Sequence, residues 1–388
     1  MNSLETKIDE ISFIFEGISR KKLELFFQLS DSILKAKTVC LYKVTDEAFG
    51  VIRSKSFESC YQKILNFFCT GLTDLYLYSI FSLVVYLFGN PNEVHLSIDR
   101  TTWKVGSRYI NLLVIGLVYE NICIPLIWQD IGKTNKKGNS NATQRFLLID
   151  ELLRRWKKTN VALPLFEISG DREFIGDKWL VGLEERGIKF VIRLKESQKF
   201  HVWHKRTMSA KKVSLKSLAK RIQGKQKAFT EIVTESGYIV KLVIIPNTER
   251  NASKQPFLLL VTNIDAELIE KIQQKFGFRW SIECCFKHLK SNGLDLEKIN
   301  LEADHKIHLM VAILIFLYAL CIHKGIKRRN NRSKKYKNGT VSPARSIFRQ
   351  GLSELKRAIK NYYDLVITTW NILKEISQIT SNKFIFKI

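Results

Sequence analysis

The sequence has no CxxC pair, and its cysteines are odd in number. The seven cysteines are Cys40, Cys60, Cys69, Cys123, Cys284, Cys285 and Cys321. Disulfide-rich secreted domains use even sets of cysteines, and zinc knuckles use closely spaced pairs. The cysteine pattern therefore argues against both, and we expect an intracellular chain with reduced thiols.

The sequence also lacks a clear membrane span. Its longest uncharged apolar runs are Leu75–Asn92, which ends in "GNPN", and Ile307–His323, which contains His308. A transmembrane helix needs roughly 20 predominantly apolar residues, so we predict that both runs are buried core helices. The opening "MNSLETKIDEISF" is acidic and polar, which is not the pattern of a signal peptide.

Acidic residues are missing from two long stretches. Residues 198–230 contain ten Lys or Arg and residues 324–337 contain eight, and neither stretch has an Asp or Glu. The whole chain has 63 Lys and Arg against 37 Asp and Glu, a net charge of +26. This charge fits a polyanionic partner, either nucleic acid or an anionic membrane surface, and does not by itself choose between them.

The apolar pattern predicts an α/β chain (α+β, several domains). Its 388 residues are 45% hydrophobic, enough for two or three domains with a large core. The predicted parts are a helical N-terminal region (1–92), a mixed sheet with flanking helices (93–197), a β-rich basic insertion (198–257), the second part of the sheet domain (258–325), and a basic linker with a helical C-terminal region (326–388). The N-terminal region is a DNA-reading domain or a packing scaffold.

Within 93–197 the elements follow the order β-β-β-α-β-α-β, which is typical of a mixed sheet with helices on its faces. A hairpin over 229–245 turns at Gly237, and a single long helix is predicted from about Ala266 to Asn292.

Two carboxylates stand where strands are predicted to end. "SIDRTTW" places Asp99 after one strand, and "GDREFIG" places Asp171 after a later one. Strand ends converge at one edge of a sheet. Two nearby carboxylates repel each other, and a divalent cation relieves that repulsion. We therefore predict that both aspartates bind metal, although either alone would more often be a turn or capping residue.

A third carboxylate lies in "FGFRWSIECCFKHLK". On a continuous helix Phe276, Arg279, Glu283 and Lys290 form one stripe. An acid between two cations suits a site that holds metal and phosphate together. Without the two aspartates, an ordinary solvated salt-bridge face would be the better explanation. The adjacent Cys284 and Cys285 are interpreted as packing residues.

These three segments together resemble the DDE transposases of bacterial insertion sequences, specifically the insertion-sequence-four family. That family has a YREK signature, matched in spacing here by Phe276, Arg279, Glu283 and Lys290. The resemblance covers roughly residues 93–325. It implies an RNase H-like catalytic domain, with a β-rich insertion between Asp171 and Glu283.

The resemblance also implies an activity and partners. Asp99, Asp171 and Glu283 would bind two Mg²⁺ ions, with Mn²⁺ as an alternative ion, for cutting and joining DNA. Arg279 and Lys290 would contact the DNA backbone. The partners would be terminal inverted repeats and target DNA, with a homodimer in the synapse and no membrane, in the bacterial cytoplasm at the nucleoid.

Several alternatives remain at this stage. Arg172 contacts phosphate or pairs with a neighbouring carboxylate, and Trp203 in the insertion stacks on a base or packs. His201 and His204 lack the further ligands of a zinc site. Phe276 replaces the signature Tyr and so lacks a hydroxyl. The chain could also be a decayed or repurposed DNA-binding relative, an RNase H-like nuclease without strand transfer, or a basic membrane-surface protein.

Overall fold

The computed structural model describes residues 4–90, 92–132, 139–197, 199–204, 209–221, 228–247, 256–265, 269–291, 293–329, 333–335, 341–343 and 345–380. Their strands are β1 (Glu93–Val105), β2 (Arg108–Tyr119), β3 (Ile122–Asp130), β4 (Leu165–Gly170), β5 (Lys189–Arg193), β6 (Lys199–His204), β7 (Ser209–Ser214), β8 (Ala228–Val233), β9 (Ile239–Pro246), β10 (Phe257–Thr262), β11 (Ser333–Lys335) and β12 (Val341–Pro343).

The helices are α1 (Leu4–Ile11), α2 (Arg20–Ala36), α3 (Leu41–Ala48), α4 (Phe57–Phe67), α5 (Thr73–Phe88), α6 (Ala142–Lys158), α7 (Asp177–Glu185), α8 (Leu215–Arg221), α9 (Ile269–Gly277), α10 (Trp280–Lys290), α11 (Asp304–Lys327), α12 (Ile347–Ala358) and α13 (Tyr362–Thr380), with a 3₁₀ turn at Leu296–Lys298. The predicted mixed α/β class is confirmed.

One ten-stranded sheet in the described part of the chain has the order β3-β2-β1-β4-β5-β10-β9-β8-β6-β7. The first three strands form an antiparallel meander, and β4 and β5 follow parallel to β1. This is the RNase H-like arrangement. Strand β10 pairs antiparallel to β5, and β9, β8, β6 and β7 continue from it. The strands of the predicted insertion therefore extend the same sheet.

Alternation along β1 and β4 assigns their two faces. Val94, Leu96 and Ile98 are buried on one face of β1, while His95, Ser97 and Asp99 point to the other. Helices α9 and α10 lie against this second face, and α6 packs on the opposite one through Trp156 and Phe166, whose rings are 5.1 Å apart. Helix α6 leads into β4, and α7 joins β4 to β5, because parallel strands need such crossover connections.

Helix α11 is the central core helix. It is long and apolar enough to cross a membrane by length and composition alone, but its apolar window is 83% buried inside the protein. Helices α2, α5 and α12 pack around it. Phe26 and Phe27 of α2 contact Phe316 edge-on, at 5.1 and 5.7 Å. The N- and C-terminal helices also meet directly, since α13 packs on α1 and α2. The five-part division of the chain remains a prediction.

The predicted single helix over 266–292 is wrong. The described residues form two helices, α9 and α10, with Phe278 and Arg279 between them. Residues 266–268 and Asn292 lie outside the described part. Phe276 therefore belongs to a different helix from Glu283, and the stripe predicted for one continuous helix is broken at its first member. The second helix of the predicted β-β-β-α-β-α-β order is α7, which spans Asp177–Glu185.

The close crossing of α11 and α12 predicts that one added methyl group strongly lowers the stability of the protein. A Cβ added at Gly351 would lie 1.7 Å from the carbonyl oxygen of Cys321. Gly351→Ala should therefore force the helices apart and lower the free energy of unfolding by about 1–3 kcal/mol or more. Urea denaturation measures this. Ser353→Ala, on the same helix, is the matched control and should change stability little. Equal stability of the two variants would contradict the crossing.

Candidate active site

The predicted carboxylates Asp99 and Asp171 lie on neighbouring parallel strands. Ile98 is paired with Gly170, which ends β4, and Asp171 follows directly. Asp99 does not end its strand, as the sequence suggested, because β1 continues to Val105 paired with β2 alone. Both aspartates therefore leave the paired region at the same level. The parallel register brings them to one edge of the sheet.

Glu283 reaches the same edge from α10. Its carboxylate oxygen Oε1 accepts a hydrogen bond from Arg279 Nη1 at 2.5 Å. The Ser97 hydroxyl contacts the Arg279 carbonyl oxygen at 3.5 Å, and this contact joins the start of α10 to β1. The negative charge of Glu283 acts on Asp99. The structure thus brings Glu283 and Arg279 alongside Asp99.

The electrostatics of Asp99 are dominated by its burial. Burial raises the pKa of its carboxyl to about 6, and the nearby charges of Glu283 and Glu173 act in the same direction. The backbone N–H of Arg100 and the Arg279 guanidinium partly oppose that increase. An anion in this position is costly, and a bound cation would relieve the cost.

Asp171 has a cationic neighbour that the sequence analysis missed. Arg193 Nη1 lies 3.8 Å from Asp171 Oδ1, while that buried oxygen has no hydrogen-bond partner in the described part of the chain. Arg193 ends β5, the next parallel strand after β4. The strand-end reasoning that selected Asp99 and Asp171 would have selected Arg193 as well.

Lys290 points back to the sheet. Its Nζ donates to the carbonyl oxygen of Thr102 at 2.5 Å and lies 3.3 Å from Glu297. The same ammonium lies 5.8 Å from the centre of the Trp103 ring. Lys290 is therefore held beside β1, at the opposite end of α10 from Arg279.

Phe276 contributes its ring to the site. The ring centre lies 5.7 Å from Arg279 Cζ, within the range of a cation–π contact. Its other contacts are with a small apolar cluster that includes Val191, Ile272 and Leu260. This residue thus supports the arginine that pairs with Glu283.

A second ion pair links the two aspartate-bearing motifs. The Arg100 guanidinium donates to both carboxylate oxygens of Glu173, with Nη2 to Oε2 at 2.7 Å. The backbone N–H and the hydroxyl of Ser140 also donate to Glu173 Oε1, at 3.2 and 3.1 Å. Glu173 therefore connects the segment after Asp171 to β1 and to the start of α6.

Arg172 has an exposed side chain. It lines a pocket of about 280 Å³ together with Arg193, Lys195 and Phe257, beside Asp171. Trp203 lies in β6 opposite Ala210, and its side chain is outside the described part, as are those of His201 and His204. The adjacent cysteines behave as packing residues, since burial raises the pKa of both Cys284 and Cys285 and so disfavours the thiolates.

In the residues that the structure describes, no three carboxylate, imidazole or thiol groups stand close enough together to hold a metal ion. The ion pair between Glu283 and Arg279 engages one of the three predicted metal ligands. The arrangement therefore gathers the carboxylates at one edge without closing them around a common point.

Comparison with known proteins identifies the region that carries these residues. Residues 90–320 match the family described as "Transposase DDE domain". No curated protein matches the chain. Among solved structures, a piggyBac transposase synaptic complex with hairpin DNA, determined by cryo-EM, is similar with a TM-score of 0.47 and 11% identity, over 98% of this chain and 82% of that one.

The packing of His288, on α10, against α12 predicts that the stability of the protein depends on pH. The His288 ring stacks on Phe348 of α12 at 4.6 Å, and burial, with the charges of Arg349 and Lys287, lowers its pKa to about 4. A histidine in an unfolded chain has a pKa of about 6.5. Between these values the unfolded chain binds more protons, so stability should fall as the pH falls from about 6.5 towards 4.

His288→Phe should remove part of this loss, about 1–3 kcal/mol at most because the ring is partly exposed. Urea denaturation of wild type and variant at several pH values between 4 and 7.5 gives the difference. Other buried histidines, such as His323, contribute in the same direction. Parallel pH curves for the two proteins would contradict the role of His288.

Proposed function

The chain belongs to the family of proteins with a transposase DDE domain, and from this premise we propose that it is the transposase of a bacterial insertion sequence. We place it in the insertion-sequence-four family, on the spacing of Phe276, Arg279, Glu283 and Lys290. The reaction is cleavage of DNA at the ends of the element, followed by joining of those ends to target DNA.

One observation carries this proposal. The register of β1 with β4 brings Asp99 and Asp171 to the same sheet edge, and α10 brings Glu283 near enough for its charge to act on Asp99. Three partly exposed carboxylates from distant parts of the sequence thus lie in one region of the sheet edge, although they do not surround a common point. Like charges in one region repel each other, and a bound cation would relieve that repulsion.

The side chains at this edge fit a divalent cation of the Mg²⁺ type. Carboxylate oxygens are the ligands that Mg²⁺ prefers, and a buried oxygen of Asp171 lacks a hydrogen-bond partner in the described part of the chain. Asp99, Asp171 and Glu283 would hold two ions, and Mn²⁺ could take their place. The bound ions would supply charge stabilisation at the phosphorus and an activated oxygen nucleophile.

The remaining residues of the site bind and orient the DNA strand. The Arg279 guanidinium is a fork of donors suited to a phosphate, and it gives up Glu283 as that carboxylate turns towards the metal position. Lys290 fixes the far end of α10 against β1. The pocket lined by Arg172, Arg193, Lys195 and Glu196 is proposed to take the DNA backbone beside Asp171.

The wider proposal follows from the charge of the chain. The excess of basic residues supports binding of terminal inverted repeats and target DNA, in the bacterial cytoplasm at the nucleoid. Two copies hold the two ends in a homodimeric synapse. Trp203, in the insertion, is proposed to contact the DNA near the cleavage site. The N-terminal helices are proposed to bind the ends of the element.

A decayed relative that only binds DNA, and a nuclease that cuts without joining, are the competing functions. DNA flanking the gene provides the inverted repeats for one assay that separates them. A duplex carrying one end is incubated with the protein, Mg²⁺ and a target plasmid. Cleaved ends without joined products identify a nuclease, and binding without cleavage identifies a decayed relative.

The first prediction concerns the carboxylates. Asp99→Asn, Asp171→Asn and Glu283→Gln keep side-chain volume but remove the negative charge that holds a cation, so each should abolish Mg²⁺-dependent cleavage while leaving binding of the end duplex within about threefold, ~0.7 kcal/mol. Gel-based cleavage and fluorescence anisotropy measure the two quantities. Full activity in any one variant removes that residue from the metal site.

The second prediction concerns Arg279 and Lys290. Arg279→Ala should lower cleavage by ~10²-fold, because a positioned donor to the reacting phosphate is lost, and should reduce the salt slope of DNA binding by about 1. Lys290→Ala should lower cleavage in the same direction. The control is Lys287→Ala, which removes an exposed charge from the same helix. Cleavage by the Arg279→Ala/Lys290→Ala double variant at the wild-type rate would end the backbone-binding role.

A further inference from the structure

The two strands that end at the aspartates share a second pattern. Strand β1 reads His95-Leu96-Ser97-Ile98-Asp99, and β4 with the next residue reads Glu167-Ile168-Ser169-Gly170-Asp171. In each segment a titratable residue (His95 or Glu167), a serine and an aspartate stand at every second position. His95 is paired with Glu167, and Ser97 with Ser169, in the parallel register. We call the four residues His95, Ser97, Glu167 and Ser169 the polar stripe.

The polar stripe is buried. His95 is 8% exposed, Glu167 is 4% exposed, and Ser97 and Ser169 are fully covered. All four point to the sheet face on which α9 and α10 lie. Buried polar groups of this kind cost free energy unless they are paired, and apolar residues of similar size would serve stability as well or better. Stability alone therefore does not account for the polar stripe.

Lys275, in the last turn of α9, offsets the negative charge of Glu167 in the polar stripe. Its Nζ donates to Glu167 Oε2 and lies 3.2 Å from Glu93 Oε1. His95 Nδ1 stands 3.6 Å from the same Glu167 oxygen, and His95 Nε2 is 3.2 Å from the Ser169 hydroxyl. Burial alone would raise the pKa of Glu167, but the hydrogen bond and charge of Lys275, with His95 nearby, outweigh it and lower that pKa. Glu167 is thus an anion held by Lys275.

The residues after Lys275 dock on the stripe in order. Phe278, at the break between α9 and α10, contacts the His95 ring edge-on at 4.9 Å. The carbonyl oxygen of the next residue, Arg279, accepts a hydrogen bond from the Ser97 hydroxyl. One turn later, Glu283 lies near enough for its charge to act on Asp99. The contacts therefore advance along β1 and along the helix break in the same direction. They fix how far along the sheet α10 begins.

We propose that Glu167 and Lys275, with His95 beside them, are positioning residues that set the register of the helix break and so bring Arg279 and Glu283 to Asp99. The proposal rests on the proposed function for its consequence in catalysis. Neither Glu167 nor Lys275 touches the reacting groups. Their effect passes through the backbone of residues 275–279, and a displacement of α10 by one residue is about 1.5 Å.

The first test measures the register without any reaction. Hydrogen–deuterium exchange of the full-length protein is compared for wild type, Lys275→Met and the conservative Lys275→Arg. In Lys275→Met, exchange should rise in residues 275–283 and stay unchanged in α11 and in β2. Lys275→Arg should exchange like wild type. Lys271→Met is the matched control, because it removes an exposed charge from the same helix one turn earlier.

Two outcomes overturn the proposal. Wild-type exchange in residues 275–283 of Lys275→Met means that the pair does not hold the break. A rise across the whole chain means that the pair serves general stability. Glu167→Gln, which keeps the volume and a hydrogen-bonding group, should give the same localised rise. It tests the same contact if Lys275→Met does not fold.

The second test measures the consequence for the site. Lys275→Met should lower Mg²⁺-dependent cleavage of the end duplex by ~10–100-fold, the usual effect of losing a partner that orients a metal ligand, while the Kd for the duplex changes less than about threefold. The double variant Glu167→Gln/Lys275→Met, which restores charge balance, should not regain cleavage. Full recovery of cleavage would show that only charge neutrality matters and would overturn the positioning role.

Failure of the proposed function and failure of the positioning role give different results. If the wild-type protein does not cleave any duplex with Mg²⁺, the proposed function fails, and the exchange pattern still decides whether Glu167 and Lys275 set the register. If the wild type cleaves and Lys275→Met cleaves equally well with unchanged exchange, the proposed function stands and the positioning role fails.

Discussion

The parallel pairing of β1 with β4 is the constraint on which the rest of the site depends. It aligns Ile98 with Gly170, so that Asp99 and Asp171 leave the paired region together, and β5 adds Arg193 at the same edge. Because side chains alternate between faces, a slip of one residue would turn the aspartate of one strand to the other face. The alternation along β1 holds this register, since the slip would exchange the apolar Leu96 and Ile98 with the polar His95 and Ser97 between the two covered faces.

The charges at the edge are arranged in pairs before any substrate is bound. Glu283 is paired with Arg279, and Asp171 lies near Arg193. Each guanidinium therefore offsets part of the cost of a partly buried carboxylate. A DNA phosphate is a further anion that seeks the same donors. On the proposed function, phosphate binding and cation binding would be coupled through these residues, because carboxylates that lose a guanidinium need another positive charge.

Much of this site could be predicted from the sequence. The mixed sheet and the two aspartates follow from the strand pattern, although β1 continues past Asp99, while Glu283 was selected together with the aspartates and the family resemblance. The helix break could not be predicted with the same rules, because "KFGFRWSIE" contains no proline, although Gly277 was a signal for a helix end. The extension of the sheet by β10 and β9 depends on long-range pairing, which local patterns do not encode. The alternation of His95, Ser97 and Asp99 was visible, but burial is needed to see that it is unusual.

The phenylalanine at position 276 is best understood from the broken helix. On one continuous helix it would stand in line with Glu283, and a tyrosine there would offer a hydroxyl to the same phosphate as Arg279. In the structure it lies in the last turn of α9, packs into the apolar cluster with Ile272, and lies against the Arg279 guanidinium. A hydroxyl contributes about 0.5–1.5 kcal/mol where it finds a partner. The ring contact with Arg279 is present with phenylalanine, so the substitution removes a hydroxyl and leaves the support of Arg279 in place.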